Sequence, residues 1–152
     1  MITQVLRYAN VYGPRQSPLG EAGVFAIFTA KMLQGQVPLI HGSGKQTRDF
    51  VFVEDVVAAN VLALEHAKPC LFNVGTGTET DIVTVFQRLK KIIGFEGDAI
   101  FDQAKEGESM RSCIDSRGIE RAWKWKPRVS IAKGLEKTVQ WFKKVKGKPA
   151  CV

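Results

Sequence analysis

Phe50-Val51-Phe52-Val53-Glu54-Asp55 is the stretch that decides the fold class. Its first four residues are aromatic or β-branched, which is typical of a short buried strand. Glu54 and Asp55 then suit the first turn of a helix, where carboxylates complement the positive end of the helix dipole. The following residues predict a helix over about 54–66 that is apolar on most faces and is therefore buried between layers. Leu71-Phe72-Asn73-Val74 predicts the next strand, so this region forms a strand–helix–strand unit.

Strands and helices alternate on both sides of this unit. The upstream strand signal stops at Asn10, ahead of the turn marker Gly13-Pro14. Thr80 or Asp81 is expected to cap one helix and Ser130 the last one. Such alternation is typical of an α/β fold. The remaining predicted strands cover residues 2–8, 37–40, 99–101 and 112–114, and the remaining helices cover 24–35, 82–94, 116–124 and 131–145.

Length and composition describe an ordinary globular chain. With 152 residues, 45% hydrophobic and 24% charged, it has room for one domain or for part of a larger one. This composition excludes a disordered or collagen-like chain. No apolar run approaches the roughly 20 residues of a membrane span, and the N-terminus lacks the layout of a signal peptide. Three widely spaced cysteines indicate neither a disulfide framework nor a metal site, so a cytoplasmic location is expected.

The net charge of +7 is concentrated at one end of the chain. Residues 117–152 hold eleven Lys and Arg against two Glu, a balance of +9, so the other 116 residues sum to −2. A basic module that binds nucleic acid through residues 117–148 is therefore one hypothesis. Solvated helix ends are the favoured interpretation, because no aromatic residues are interleaved for base stacking.

Two glycine-containing segments only partly match phosphate-binding motifs. Gly75-x-Gly77-x-x-Thr80 lacks the third glycine of a dinucleotide fingerprint, so an ordinary turn between strand and helix is the better interpretation. Gly42-Ser43-Gly44-Lys45 is followed by Gln46 and fails as a P-loop, although a loop near a ligand remains open.

Charged residues near the deciding stretch allow two interpretations. Arg48 beside Asp49 is either a structural ion pair or a guanidinium that holds a diphosphate in bidentate fashion. Glu106 and Glu108 are expected to be solvated. For His41 and His66, the two histidines of the sequence, no catalytic triad is readable, so no catalytic residue is assigned.

Four segments together resemble one known family. In order and spacing they are similar to extended short-chain dehydrogenases/reductases, and more narrowly to the NAD-dependent epimerase/dehydratase family that acts on nucleotide sugars. The resemblance is strongest to its 4-epimerases and covers nearly the whole chain. The segments are Leu6 to Gln16, Gln46 to Val56, Phe72 to Gly77, and Trp125-Lys126-Pro127 with the helix that ends at Trp141-Phe142.

The resemblance implies roles for particular positions. Asn10 matches the asparagine that contacts the sugar nucleotide, Arg48 the arginine that binds the diphosphate, and Leu39 to His41 the cleft for the base. Lys105 stands where the family has arginine; it keeps the charge and loses the bidentate fork. The backbone of Ala9 is the implied contact to the NAD cofactor. The implied substrate-binding residues are Asn10, Gly23, Val24, Leu39, His41, Arg48, Lys105 and Glu108.

The family's Gly-x-x-Gly-x-x-Gly loop for NAD and its Tyr-x-x-x-Lys catalytic pair belong upstream of Leu6. The chain is therefore expected to be the C-terminal part of such an enzyme: the C-terminal portion of a Rossmann-like NAD(P)-binding fold plus a small α/β substrate-binding subdomain. Residues 1–15 and 50–95 are expected to form the core, and 16–49 and 96–148 the substrate-binding portion.

The function implied for the whole enzyme is transient oxidation of a hexose C4 hydroxyl by NAD, followed by return of the hydride. The substrate implied is a UDP-hexose, and this chain alone is expected to be inactive. A homodimer or a complementing N-terminal half is the expected protein partner, with no membrane. A non-catalytic nucleotide-sugar-binding or split-enzyme module is the alternative, besides the nucleic-acid module above.

Overall fold

The computed structural model of the chain describes residues 2–19 and 23–145. Within these ranges strands and helices alternate, which confirms the α/β interpretation. The strands are β1 (Gln4–Tyr8), β2 (Asn10–Tyr12), β3 (Leu39–His41), β4 (Thr47–Phe52), β5 (Cys70–Val74), β6 (Glu79–Asp81), β7 (Ile100–Asp102) and β8 (Arg111–Ser112). The helices are α1 (Val24–Leu33), α2 (Val53–His66), α3 (Ile82–Ile93), α4 (Arg117–Trp123) and α5 (Ile131–Val145). The described residues leave out 20–22 of the predicted substrate-binding portion, 146–148 of the predicted basic segment, and Cys151.

Parallel pairing dominates the strand contacts. β1 pairs with β5, and α2 connects β4 to β5 as the predicted strand–helix–strand unit. β4 is the central strand of a second sheet: its second half pairs with β2 in parallel, and its first half pairs with β6 and β8. β3 pairs in parallel with β7.

Two short strands were not predicted. β2 follows the point at which the strand signal was expected to stop, and it forms because Asn10 and Tyr12 lie opposite Phe50 and Phe52 of β4. β6 includes Asp81, which was expected only as a helix cap; it does cap α3, accepting from the Thr84 amide at 2.7 Å, and it also pairs with β4. Both strands form by pairing with a strand that is distant in the sequence, and local strand propensity does not predict such pairing.

β4 divides its side chains between two hydrophobic clusters. Phe50 and Phe52 enter the larger one, where the Tyr12 ring stacks on Phe25 at a centroid distance of 4.2 Å. Val51 points the other way and packs in the smaller one with Trp125. This alternation is the period of two expected of a strand buried on both faces. Helices α1, α3 and α5 pack against one another around the larger cluster.

Helix α2 is buried on one side only, so the prediction that it is covered on most faces is wrong for this chain. Val56 and Ala59 pack in the smaller cluster. Val57, Val61 and Leu64 are exposed, Leu64 by 82%. These three residues follow helical spacing and form an apolar stripe that no described element covers. Within the described ranges, no helix is both long and apolar enough to cross a bilayer.

The buried carboxylate of Asp55 holds the segment before α5. It accepts hydrogen bonds from the backbone amides of Arg128 and Val129, at 2.9 and 3.1 Å. The Trp125 indole N–H donates to the Asp55 backbone carbonyl at 3.0 Å. The predicted first-turn acid therefore also fixes the extended Trp125-Lys126-Pro127 segment against α2.

Glu79 on β6 ties three strands together. Its carboxylate accepts hydrogen bonds from Arg111 of β8 and from the Thr47 hydroxyl of β4. These bonds, that from Arg111 being the larger cause, lower the pKa of Glu79 from 4.5 to about 2. The carboxylate is thus stabilised in its charged form.

We expect Glu79 to make the fold acid-sensitive. Because its pKa is lower in the folded chain, its contribution is complete above the unfolded pKa and is lost as the pH falls toward the folded one. Urea unfolding of Glu79→Gln should therefore show a smaller loss of stability between pH 5 and 2 than the wild type, whereas the exposed-site variant Glu96→Gln should behave like the wild type. Equal acid sensitivity of wild type and Glu79→Gln would contradict this role.

Candidate functional site

A cavity of about 500 Å³ opens where α1 meets the ends of β2, β3 and β4. The loop between β7 and β8 supplies its remaining wall. All of the predicted substrate-binding residues line it, although they are spread over the chain from position 10 to position 108. These residues are Asn10, Gly23, Val24, Leu39, His41, Arg48, Lys105 and Glu108.

The strands explain how the cavity wall is assembled. Asn10 begins β2 beside β4, and its amide nitrogen donates to the Asp49 carbonyl at 3.2 Å. Leu39, Ile40 and His41 all line the cavity from β3, and Ile40, which is 1% exposed, also packs in the larger hydrophobic cluster. His41 Nδ1 lies 4.0 Å from a carboxylate oxygen of Asp102 on the neighbouring strand β7.

Gly23 lies close to the Gln16 side chain at the entry to α1. A Cβ at this position would lie 2.8 Å from the side-chain nitrogen of Gln16. That nitrogen donates to the Val11 carbonyl at 3.2 Å, so Gln16 bridges β2 and the start of α1. The glycine therefore allows a close approach that shapes this side of the cavity.

Arg48 is held in place by backbone carbonyls and by Glu108. One guanidinium nitrogen donates to the Thr47 carbonyl at 2.8 Å and to the Ser109 carbonyl at 2.7 Å. The other donates to the Glu108 carboxylate at 2.9 Å. The alternative of an Arg48–Asp49 ion pair is thus wrong, and so is the expectation that Glu108 is merely solvated. A fixed guanidinium that faces a cavity is suited to bind an anion.

Asp49 instead fills the turn after β5. Its carboxylate, 1% exposed, accepts from the Thr76 amide at 2.9 Å, the Thr76 hydroxyl at 2.6 Å and the Gly77 amide at 3.0 Å. A Cβ at Gly75 would lie 2.6 Å from the same carboxylate. The Asp49 carboxylate therefore occupies the space beside the glycines of this turn. The turn is an ordinary one, as we predicted from the absence of the third glycine of a dinucleotide fingerprint.

The loop Gly42-Ser43-Gly44-Lys45 does not form a phosphate cradle. The Gly44 carbonyl accepts from the Val83 amide at 3.1 Å, which docks the loop on the start of α3. Lys45 is exposed and lies outside the cavity lining. The structure of this loop thus agrees with the sequence, which lacks the P-loop motif.

Comparison with known proteins adds the family. Residues 2–75 match the model of the NAD dependent epimerase/dehydratase family. UDP-glucose 4-epimerase of Mycolicibacterium smegmatis is 43% identical over 136 residues, which are 89% of this chain and 44% of that protein. The crystal structure of UDP-glucose 4-epimerase with UDP-glucose from Thermotoga maritima superposes with a TM-score of 0.91 at 45% identity, over 94% of this chain and 46% of that one. The chain belongs to the NAD-dependent epimerase/dehydratase family.

Within this family the chain has the Rossmann-like epimerase fold, and it spans about half the length of the relatives it matches. The family is NAD-dependent. A further solved relative, UDP-glucose 4-epimerase of Thermus thermophilus in complex with NAD, is 34% identical with a TM-score of 0.85, over 92% of this chain and 46% of that one. UDP-glucose and NAD are thus found in solved relatives of this epimerase/dehydratase chain.

The described residues do not offer the family's cofactor a cradle for its pyrophosphate. The glycine turn at Gly75-Thr76-Gly77 already holds the carboxylate of Asp49, at 2.9 and 3.0 Å from two of its amides. The amide of Ala9, the predicted cofactor contact, donates to the Val74 carbonyl at 3.0 Å, and Ala9 lies outside the cavity lining. These residues alone therefore do not fit NAD.

Sequence reasoning missed three polar residues of this epimerase/dehydratase cavity, which are Gln16, Lys31 and Gln46. Lys31 lines it from α1, and the sequence carried a signal, because Val24, Ile27 and Lys31 fall on one helix face. Gln46 also lines it and is 5% exposed. A loop glutamine has no periodicity, so only the folded structure reveals its position.

Proposed function

We propose that this chain binds the nucleotide-sugar substrate of an NAD-dependent sugar-nucleotide epimerase, most like UDP-glucose 4-epimerase, as its C-terminal part. The convergence of the predicted binding residues on a single cavity that contains a fixed arginine is the observation that carries the proposal. The UDP-glucose complex of a relative 45% identical supports a UDP-hexose as the ligand.

The cavity has a subsite for each part of such a ligand. Arg48 and Lys105 supply positive charge for the diphosphate, and Leu39 and His41 flank the base. Asn10 contacts the sugar, with the backbone at Gly23 and Val24 as the wall. The guanidinium nitrogen of Arg48 that donates to Glu108 at 2.9 Å keeps a second N–H, so a diphosphate oxygen can bind there beside this carboxylate.

In the whole protein, NAD supplies the hydride chemistry at the hexose C4 position. The chain's own contribution is binding and orientation, since the turn at Gly75 to Gly77 is filled and no Tyr-x-x-x-Lys pair occurs in the sequence. We infer that this chain alone does not epimerise UDP-glucose.

The predicted division of the chain belongs to the same proposal. Residues 1–15 and 50–95 form part of the nucleotide-fold core, and 16–49 and 96–148 form the substrate-binding portion. In support, Leu39, His41, Arg48 and Lys105 of the second portion line the cavity, beside Asn10 of the first. The cytoplasmic location stays a prediction.

A complementing N-terminal half is the protein partner that the surface best supports. Among the described strands, β1 pairs only with β5, so its outer edge carries free backbone groups. The apolar stripe Val57, Val61 and Leu64 of α2 is exposed as well. A half-length chain that exposes both an edge and an apolar stripe fits docking of the other half, with a homodimer as the alternative.

The basic surface of α4 and α5 gives the nucleic-acid hypothesis little support. Several of its cations are engaged in ion pairs: Arg117 with Asp115, Lys126 with Glu120, Lys133 with Glu136, and Lys137 with Glu54. Partner carboxylates reduce the charge available to phosphates. Nucleotide-sugar binding is therefore the function that the geometry supports best.

Calorimetry and an activity assay test the proposal on the same sample. We expect the purified chain to bind UDP and UDP-glucose, and to form no UDP-galactose from UDP-glucose even with added NAD. Absence of binding to either ligand would contradict the binding proposal, whereas UDP-galactose formation would contradict only the predicted inactivity. The alternative of a non-catalytic or split-enzyme module predicts binding too. Restored activity on addition of a matching N-terminal half would contradict its non-catalytic form.

A further inference from the structure

A buried glutamine without an assigned role faces the proposed nucleotide cavity. Gln46 connects β3 to β4, is 5% exposed and lines the cavity with His41 and Arg48. Its side-chain nitrogen donates to the His41 backbone carbonyl at 2.8 Å. Within residues 2–19 and 23–145, no group donates to its side-chain oxygen. Because Gln46 is a lining residue of the cavity, we infer that this oxygen is accessible from it.

The contact to His41 fixes the orientation of the amide. If the amide turned over, its oxygen would meet the His41 carbonyl oxygen, and the hydrogen bond would be replaced by repulsion between two acceptors. The side chain therefore presents an acceptor, together with its second N–H, to whatever occupies the cavity beside β3. An acceptor that has no protein donor and belongs to a cavity-lining residue is available to a donor on a ligand.

Gln16 shows that this arrangement is particular to Gln46. Gln16 also lines the cavity, and its nitrogen donates to the Val11 carbonyl. Its side-chain oxygen, however, is enclosed by protein atoms and cannot reach a ligand. Of these two glutamines, only Gln46 has a side-chain oxygen that can accept a hydrogen bond from a molecule in the cavity.

We propose that Gln46 determines base specificity by accepting a hydrogen bond from the imide N–H of a pyrimidine held beside Leu39 and His41. This inference rests on the proposed nucleotide-sugar binding. Uracil presents an N–H between two carbonyl oxygens. The Gln46 amide can therefore accept a hydrogen bond from this N–H and donate one to a neighbouring carbonyl oxygen. Cytosine presents an unprotonated ring nitrogen at the same place, and two facing acceptors would both lose their partners, which makes discrimination strong.

The test removes the two hydrogen-bonding groups one at a time: first the imide N–H of the ligand, then the side-chain oxygen of Gln46. Titration calorimetry of the whole chain compares UDP with 3-methyl-UDP, in which a methyl group replaces the imide hydrogen. We expect the wild type to bind 3-methyl-UDP about tenfold more weakly, the factor typical of one lost hydrogen bond in a pocket. In Gln46→Met this ratio should fall close to unity, because the acceptor is gone. The exposed-glutamine variant Gln36→Met should keep the wild-type ratio.

The outcomes separate this inference from the proposed function. If the wild type binds UDP but binds 3-methyl-UDP equally well, or if Gln46→Met retains the full ratio, the role of Gln46 is wrong and nucleotide binding stands. If the wild type binds neither UDP nor UDP-glucose, the proposed function fails and the inference falls with it. Circular dichroism checks folding, and Gln46→Asn, whose shorter amide cannot reach, replaces Gln46→Met if that variant does not fold.

Discussion

Replacing Arg48 by alanine should weaken binding of UDP by about 100-fold, since hydrogen bonds to charged groups are worth about 1.5–3 kcal/mol. The loss has two causes. The diphosphate loses its guanidinium partner, and Glu108, bonded to Arg48 at 2.9 Å in the unliganded chain, remains in the cavity as an unpaired negative charge. Titration calorimetry at fixed salt measures the change.

Arg48→Lys gives the matched comparison for charge alone. Lysine keeps the positive charge and loses the planar fork, so we expect about tenfold weaker binding, between wild type and alanine. Arg117→Ala removes an arginine that is 78% exposed and paired with Asp115 outside the cavity, and should leave the dissociation constant unchanged. If Arg48→Ala binds UDP within threefold of wild type, Arg48 is not the diphosphate ligand.

Replacing Asp49 by alanine should cost about 3–4 kcal/mol of unfolding free energy, because buried donors left without partners cost about 1–3 kcal/mol each. The variant leaves the amides of Thr76 and Gly77, and the Thr76 hydroxyl, without their common acceptor. It also opens a cavity at a position that is 1% exposed. Urea unfolding measures the change.

Two further variants check that the carboxylate at position 49 is responsible. Asp49→Asn keeps one acceptor oxygen and should cost about half as much as alanine. Asp98→Ala removes a carboxylate that is 89% exposed and paired with Lys90, and should stay within about 0.5 kcal/mol of wild type. A loss below about 1 kcal/mol in Asp49→Ala would mean that the turn finds other partners.

The sequence predicted what depends on neighbours along the chain. The helix start at Glu54 and Asp55, the caps of α3 and α5, and most strands follow from local patterns. It did not predict β2 or β6, because both form only by pairing with the distant strand β4. The burial of α2 was overestimated for a related reason. An apolar helix indicates that its surface needs to be covered, but the covering layer can come from outside this chain.

For the cavity, the family resemblance predicted a set of substrate-binding residues that composition and motif spacing alone did not predict. The structure then corrected the partners within it. Neighbouring residues Arg48 and Asp49 look like an ion pair in sequence, yet alternate side chains of a strand point to opposite faces. Arg48 therefore meets Glu108 and Asp49 meets Gly77, contacts separated by 60 and 28 positions in the chain.

The outer edge of β1 also determines how the chain behaves at high concentration. Its free amides and carbonyls, beside the exposed Val5 and Tyr8, offer a template on which further strands of any origin can add. Arg7 is the one charge within Gln4–Tyr8, and repulsion between molecules of net charge +7 also opposes such growth. Added salt screens that repulsion, so we expect the chain to aggregate more readily at high than at low ionic strength.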